Sequence, residues 1–148
     1  MKDLVKFLIL FISTFLVFSA LAVANKSSKH WVVHESEAKT LKHPKGAMVK
    51  FLISSKVQHA KHGFMALLTL PPGGKVPEHR DPTEEYLYFL EGEGHIWIND
   101  QKFLVKKGHS VYMPANAKVK FEGAKKGPIK VLQFFAPPGP EVKYDLWK

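Results

Sequence analysis

Short apolar runs, separated at close intervals by turn-forming residues, occupy most of this 148-residue chain. Eight of these runs are rich in valine, isoleucine and aromatic residues, and they predict strands at 47–53, 63–70, 85–90, 95–100, 102–106, 110–114, 118–122 and 129–136. Segments such as "PPGG", "EGEG" and "KKGP" divide them, and no run after residue 24 has a helical period. The pattern predicts a single all-β domain, either a sandwich or a barrel.

The N-terminus has a different character. Two lysines within Met1–Lys6 precede the apolar run "FLILFISTFLVFSALAVA", which ends in the small residues Ala-Val-Ala at 22–24. A charged start, an apolar middle and a small-residue end describe a secretory signal peptide at 1–24, and an uncleaved membrane anchor is the alternative. Cleavage leaves no membrane segment. It places the protein in the periplasm or outside the cell.

The rest of the chain divides into three expected parts: an N-terminal segment at 25–44, a β-barrel at 45–136 and a C-terminal tail at 137–148. The tail contains the bulky residues Tyr144, Leu146 and Trp147. We expect all three to pack on the barrel or on a partner subunit, because large apolar groups are costly to leave in water.

Composition limits the function classes. The chain has no cysteine, which excludes disulfides and an acylated lipoprotein form. Its formal net charge is +9, but the lysines are scattered, and no zinc knuckle or aromatic-basic stripe indicates a nucleic-acid partner. A solvated basic surface accounts for the charge. Binding of an anionic polysaccharide is an alternative that predicts a steep dependence on salt.

Three polar side chains are spaced so that they can converge. His79 and Asp81 are two residues apart in an extended segment and therefore share a face. Glu85 follows a Pro-Thr turn, on the same face of its strand as Leu87 and Phe89. If that face lines the interior, the three polar groups meet there. One imidazole and two carboxylates suit a divalent ion that prefers oxygen, such as Mn²⁺, Fe²⁺, Mg²⁺ or Ca²⁺.

This stretch resembles the first motif of the cupin superfamily, G-x5-H-x-H-x3,4-E-x6-G, with Gly73, His79, Asp81, Glu85 and Gly92 at the matching positions. The resemblance implies a jelly-roll β-barrel with a pocket inside it. It also implies a homodimer.

The segment "GHSVYMPANAKVKFEG" resembles the second cupin motif, G-x5-P-x-G-x2-H-x3-N, with Gly108 and Pro114 in place. Asn116 replaces the motif glycine, which asparagine can do because it also accepts the left-handed conformation. Val119 stands where the last histidine would be, and Asp81 stands where the second histidine of the first motif would be.

These departures leave the nature of the site open. A metal-binding cupin of this pattern would use three histidines and a glutamate, and here only His79 and Glu85 match. One reading is a three-ligand metal site completed by water. The other is a metal-free polar pocket, in which a His79–Asp81 pair could act as a general base. Without a positive charge between them, Asp81 and Glu85 repel, so one of them should hold a proton.

The neighbouring charged residues have simpler expected roles. Glu78, Arg80 and Glu84 alternate away from the site, and we expect Arg80 to form an ion pair with Glu78, Glu84 or Glu91. Four further histidines are expected at the surface: His59, His62, His95 and His109. The histidines of the N-terminal segment, including His43, have no informative spacing.

The sequence therefore predicts an exported single-domain cupin that binds a small molecule in its barrel. The metal hypothesis assigns His79, Asp81 and Glu85 as ligands of Mn, Fe or another oxygen-preferring ion, in an oxygenase, isomerase or lyase. The alternatives are a non-catalytic, metal-free module that binds a small ligand or a sugar, and a metal-free isomerase using His79 and Asp81. Whether the protein is an enzyme stays open at this point.

Overall fold

The computed structural model describes residues 31–148, so the predicted signal peptide at 1–24 lies outside the described residues. Residues His34–Lys148 form one compact unit. No helix within 31–148 is long and apolar enough to cross a bilayer.

The compact unit consists almost entirely of strands. There are ten: β1 (Lys39–Lys42), β2 (Met48–Ile53), β3 (Phe64–Leu70), β4 (Lys75–His79), β5 (Glu84–Glu91), β6 (Glu93–Ile98), β7 (Gln101–Lys106), β8 (Ser110–Met113), β9 (Val119–Gly123) and β10 (Ile129–Ala136). Two short 3-10 helices, Glu35–Glu37 and Pro140–Leu146, flank them. The all-β prediction is confirmed, and all eight predicted strands are present with ends displaced by at most two residues.

The strands form two antiparallel sheets. One sheet has six strands in the order β1-β2-β3-β10-β5-β8, and the other has four in the order β4-β9-β6-β7. Within residues 31–148, no strand pairing joins the two sheets into one continuous barrel. The expected jelly roll is thus a two-sheet sandwich around a shared interior.

Both sheets contribute to one apolar cluster in that interior. Phe64, Phe89 and Phe135 of the six-stranded sheet are almost fully buried, as is Ile96 of the four-stranded sheet. Burial alternates residue by residue along β10, as it must when one face of a strand meets the core and the other does not. The same alternation along β5 turns Glu85 and Phe89 inward, as expected from the sequence.

Two strands were not predicted, and both lie at sheet edges. β1 is short and polar, and β4 has the sequence "KVPEH", with a proline inside it. An edge strand needs hydrogen bonds on one side only and little apolar surface, so it tolerates both features. The apolar pattern that identifies central strands is therefore absent at these edges.

The turn between β6 and β7 matches its sequence signal. Asn99 and Asp100 have φ values of 48° and 70°, the left-handed conformations that a two-residue hairpin turn requires. The turn sets the register of the β6–β7 pair, in which Ile98 lies opposite Gln101.

The C-terminal tail packs against the domain through two of the three predicted residues. Tyr144 is buried, and Trp147 packs against the core with its ring centroid 4.9 Å from that of Tyr144. Leu146 is 87% exposed, so it does not pack on this domain, and its packing on a partner subunit stays a prediction. It falls on the solvent side of the 3-10 helix that turns Tyr144 inward. Reciprocal backbone hydrogen bonds between Lys148 and Lys42 join the tail to β1.

Candidate functional site

A cavity of about 500 Å³ lies between the two sheets. Its wall is mainly apolar, with contributions from both sheets, including Leu68, Phe89, Ile96, Met113, Val119 and Val131. A few polar side chains interrupt this wall: His79, Asp81, Glu85, Gln133, Lys143 and Tyr144. A largely apolar hollow with a few convergent polar groups is the usual form of a small-molecule site.

The structure brings His79, Asp81 and Glu85 together. His79 ends β4 in one sheet, Glu85 lies near the start of β5 in the other, and Asp81 lies in the connection between them. One ligand atom of each residue lies within 4.8 Å of those of the other two. A single short crossing between the sheets thus assembles the cluster.

A backbone contact fixes the orientation of His79. Its Nδ1 lies 2.9 Å from the carbonyl oxygen of Pro77, which can only accept a hydrogen bond, so Nδ1 carries a proton. Nε2 therefore faces the cluster, 3.6 Å from Oδ2 of Asp81. The Asp81 carboxylate raises the pKa of His79, burial opposes this rise, and the Pro77 carbonyl adds to it. An imidazole held in this way is prepared either to bind a cation through Nε2 or to exchange a proton there.

Lys143 is an unforeseen member of the cluster. It comes from the C-terminal 3-10 helix, and its Nζ donates a hydrogen bond of 2.8 Å to Oδ2 of Asp81. Burial by itself would raise the pKa of Asp81, but His79 and Lys143 outweigh that effect and hold it below its usual value. Asp81 is therefore a carboxylate with positive partners.

Glu85 lies deeper and in a different environment. It is 5% exposed, and its Oε1 accepts a hydrogen bond of 2.5 Å from Nε2 of Gln133. Gln133 in turn accepts one of 2.7 Å at Oε1 from the hydroxyl of Tyr144. Burial raises the pKa of Glu85, and the Gln133 hydrogen bond offsets only part of the rise. The two carboxylates of the cluster are thus driven in opposite directions, Asp81 towards ionisation and Glu85 towards protonation.

The donor atoms suit a divalent ion in kind. One imidazole nitrogen and two carboxylates match the preference of Mn²⁺ or Fe²⁺, and both His79 and Glu85 have the outer hydrogen bonds that orient ligands. Two features limit the fit. Val119, which pairs with His79 across β4 and β9, is buried in the cavity wall and has no ligand atom to offer. Lys143 already contacts an oxygen of Asp81 that a metal ion would need.

Comparisons with known proteins agree with this architecture. Residues 66–135 match the family model of the cupin domain. An uncharacterized protein of Methanocaldococcus jannaschii is 31% identical over 94 residues, covering 63% of this chain and 75% of that protein. The tetracenomycin polyketide synthase protein TcmJ of Streptomyces glaucescens is 25% identical over 103 residues, covering 68% of this chain and 69% of TcmJ. The crystal structure of an RmlC-like cupin from Shewanella frigidimarina aligns with a TM-score of 0.67 at 12% identity, covering 77% of this chain and 96% of that one. The chain belongs to the cupin superfamily.

The second cupin motif contacts the first motif next to the cluster. Asn116, at the motif's glycine position, has φ 62°, the left-handed conformation that asparagine was expected to accept there. Its backbone N–H donates a hydrogen bond of 2.7 Å to the carbonyl oxygen of Asp81. The two cupin motifs are thus joined through their backbones next to the cluster.

The prediction that Arg80 forms an ion pair with Glu78, Glu84 or Glu91 is wrong. Its guanidinium donates a hydrogen bond of 2.5 Å to the carbonyl oxygen of Asn116 and, among the described residues, forms no salt bridge. Arg80 does alternate away from the cavity as predicted, but it reaches across to the second motif. Glu84, one of the proposed partners, instead accepts hydrogen bonds from the hydroxyls of Tyr86 and Tyr112.

Three of the four histidines predicted at the surface are exposed, and the fourth is partly buried. His59, His62 and His109 are exposed, and His95 is partly buried. His43, whose spacing was uninformative, lines the cavity and lies edge-on to Trp147 with ring centroids 5.1 Å apart. This contact joins two segments 104 residues apart in the sequence, so no local pattern could have indicated it.

Proposed function

We propose that this cupin binds a small organic molecule in the cavity between its sheets, with the polar part of the ligand at His79, Asp81 and Glu85. The observation that carries the proposal is the cavity itself, a mainly apolar volume of about 500 Å³ with one convergent group of ionisable side chains in its wall. Charged groups this close together are costly in an apolar interior, and a ligand or ion that uses them explains their position.

The same three side chains would hold a divalent metal ion, through Nε2 of His79 and carboxylate oxygens of Asp81 and Glu85. Such an ion would supply a Lewis acid for an oxygen atom of the ligand. The protein's own contribution is then positional. Pro77 sets the face that His79 presents, and Gln133 orients Glu85.

A second candidate needs no metal. The raised pKa of His79 and the lowered pKa of Asp81 describe an imidazole–carboxylate pair of the kind that acts in general acid–base catalysis, as in an isomerase. The contact between Lys143 and Asp81 favours this candidate, because it supplies positive charge to the cluster without a metal ion.

A metal and ligand assay tests the proposal. The protein would be purified without chelators, its metal content measured, and its melting temperature followed with small organic acids, phenols and sugars. We expect a ligand near 100 times its Kd to raise the melting temperature by several degrees, and His79→Ala and Glu85→Ala to lose this response. His62→Ala, an exposed histidine, is the matched control. A stabilising ligand that binds equally well to His79→Ala and Glu85→Ala would contradict the proposed site.

We also propose that the protein is exported. The charged start, the apolar run and the small residues at 22–24 support this proposal. N-terminal sequencing of the protein from its natural source should then begin at Asn25. The oligomeric state is a separate question, and a homodimer stays a prediction of the cupin resemblance. Tyr86, Tyr88 and Leu90 are exposed on the outer face of β5, a surface that a second subunit could cover, and light scattering would give the mass in solution.

A further inference from the structure

Lys143 lies in the cavity wall in direct contact with the cluster. The 3-10 helix Pro140–Leu146 directs its side chain inward, with Nζ 2.8 Å from Oδ2 of Asp81 and 5.0 Å from the ring centroid of Phe135. Among residues 31–148, no other lysine or arginine lies within 4.0 Å of a carboxylate oxygen of Asp81 or Glu85. Among the described residues, Lys143 therefore supplies the only lysine or arginine charge in direct contact with the cluster.

Its charge acts on the whole cluster. The electrostatic influence of Lys143 reaches His79, Asp81 and Glu85, the three residues that could hold a metal ion. Where the motif that this chain resembles has a neutral histidine, Asp81 adds one negative charge, and Lys143 returns one positive charge. The charges of Asp81 and Lys143 thus compensate each other across a single hydrogen bond.

We propose that Lys143 and a divalent metal ion compete for Asp81, so that the ion binds only when the ammonium has left the cluster. The proposal rests on the metal site described under the proposed function. An ammonium and a divalent ion that both touched one carboxylate oxygen would lie roughly 4 Å apart, where like charges repel strongly in a partly buried site. Lys143 thus sets the affinity of the site for metal.

The geometry allows this exchange. The side chain of Lys143 is 36% exposed, so the ammonium can turn towards water on its flexible four-carbon stem while the helix stays in place. Tyr144, the next residue, stays hydrogen-bonded to Gln133 and keeps the helix attached to the domain. Only the side chain has to move for the ion to enter.

Calorimetric titration with Mn²⁺ tests the proposal on the purified protein after removal of metals with EDTA. We expect Lys143→Gln to lower the Kd for Mn²⁺ by about ten-fold or more, because it removes the competing charge. Lys143→Met should do the same while keeping an apolar stem against Phe135. Lys143→Arg keeps the charge and should stay close to the parent. Lys45→Gln is the matched control, since it removes an ammonium from the same cavity wall without a contact to Asp81.

A second set of variants locates the bound ion. Adding His79→Ala to Lys143→Gln should abolish the gained affinity, since it removes one of the three donors. If the parent binds Mn²⁺ and Lys143→Gln binds it no more tightly, competition is refuted and the metal site stands. If neither Lys143→Gln nor Lys143→Met binds Mn²⁺ while both melt cooperatively, competition and the metal site both fail. Ligand binding in the cavity is then decided by the melting assay alone.

Discussion

The hydroxyl of Tyr144 donates a hydrogen bond of 2.7 Å to the side-chain oxygen of Gln133, and both groups are buried. This bond connects the C-terminal tail to β10, which lies inside the six-stranded sheet. Through the amide of Gln133 it extends to Glu85, 48 residues earlier in the sequence, so the three side chains form one hydrogen-bonded row. The tail is therefore part of the site's framework.

Tyr144→Phe should destabilise the protein. The change leaves the side-chain oxygen of Gln133 without its donor in a buried position, which costs about 1–3 kcal/mol in free energy of unfolding. Urea unfolding followed by fluorescence would measure the loss. Tyr112→Phe is the matched control, because its hydroxyl is exposed, and we expect it to cost less than about 1 kcal/mol. Equal losses in the two variants would contradict the role given to the buried bond.

Glu85→Gln should change how stability depends on pH. Burial raises the pKa of Glu85 above its ordinary value of 4.5. Below that value the carboxyl is protonated in both the folded and the unfolded chain. As the pH rises, the unfolded chain releases its proton first, so the free energy of unfolding falls until the pH passes the pKa of the folded state.

Glutamine cannot ionise, so the variant avoids this loss. Measured in EDTA between about pH 4 and about pH 8, the melting temperature of Glu85→Gln should improve relative to the parent as the pH rises. Glu91→Gln, at an exposed position of the same strand, is the control and should follow the parent. A difference between Glu85→Gln and the parent that does not vary with pH would show that Glu85 is not held protonated.

Val119→His should strengthen metal binding. Val119 is buried in the cavity wall and lies opposite His79 across the β4–β9 pair, so an imidazole there could supply a fourth ligand. In the Lys143→Gln background we expect the affinity for Mn²⁺ to rise by about ten-fold or more, with a stability loss of about 1–3 kcal/mol from the larger side chain. Val119→Leu is the control for volume. Metal binding that rises equally in Val119→Leu would show that the imidazole is not the cause.

Asn116→Gly should leave stability almost unchanged, within about 0.5 kcal/mol, because glycine adopts the left-handed conformation freely. Asn116→Val should cost about 1–2 kcal/mol, since a β-branched residue is strained at φ 62°. Ala115→Val changes the neighbouring exposed position for comparison. Chemical denaturation of the three variants gives the differences, and a tolerated valine at 116 would argue against a conformational requirement there.

The sequence predicts the central strands well because burial on one face of a strand leaves an alternating apolar pattern. β10 shows this clearly, and its pattern also includes one polar residue at an inward position. Gln133 occupies an inward position between Val131 and Phe135, so a polar residue in the core could have been expected from "IKVLQFFA". The edge strands β1 and β4 lack such a pattern.

The cluster itself was only partly predictable. His79, Asp81 and Glu85 lie within seven residues of one another, so local spacing is enough to bring them together. Lys143 is 62 residues from Asp81 in the sequence and lies in the short tail "EVKYDLWK". Nothing local distinguishes it from the other lysines. Its contact depends on how the tail returns across the domain, which the backbone bonds between Lys148 and Lys42 secure.

The cavity is lined by residues inside and outside the part of the chain that matches the cupin domain. The cupin domain match covers residues 66–135, which include His79, Asp81 and Glu85 but end before Lys143, Tyr144 and Trp147. The C-terminal tail thus adds a charged group and two aromatic side chains to the wall of the pocket. Because the tail contributes no strand to either sheet, a change in its sequence alters the wall of the cavity while all ten strands stay intact.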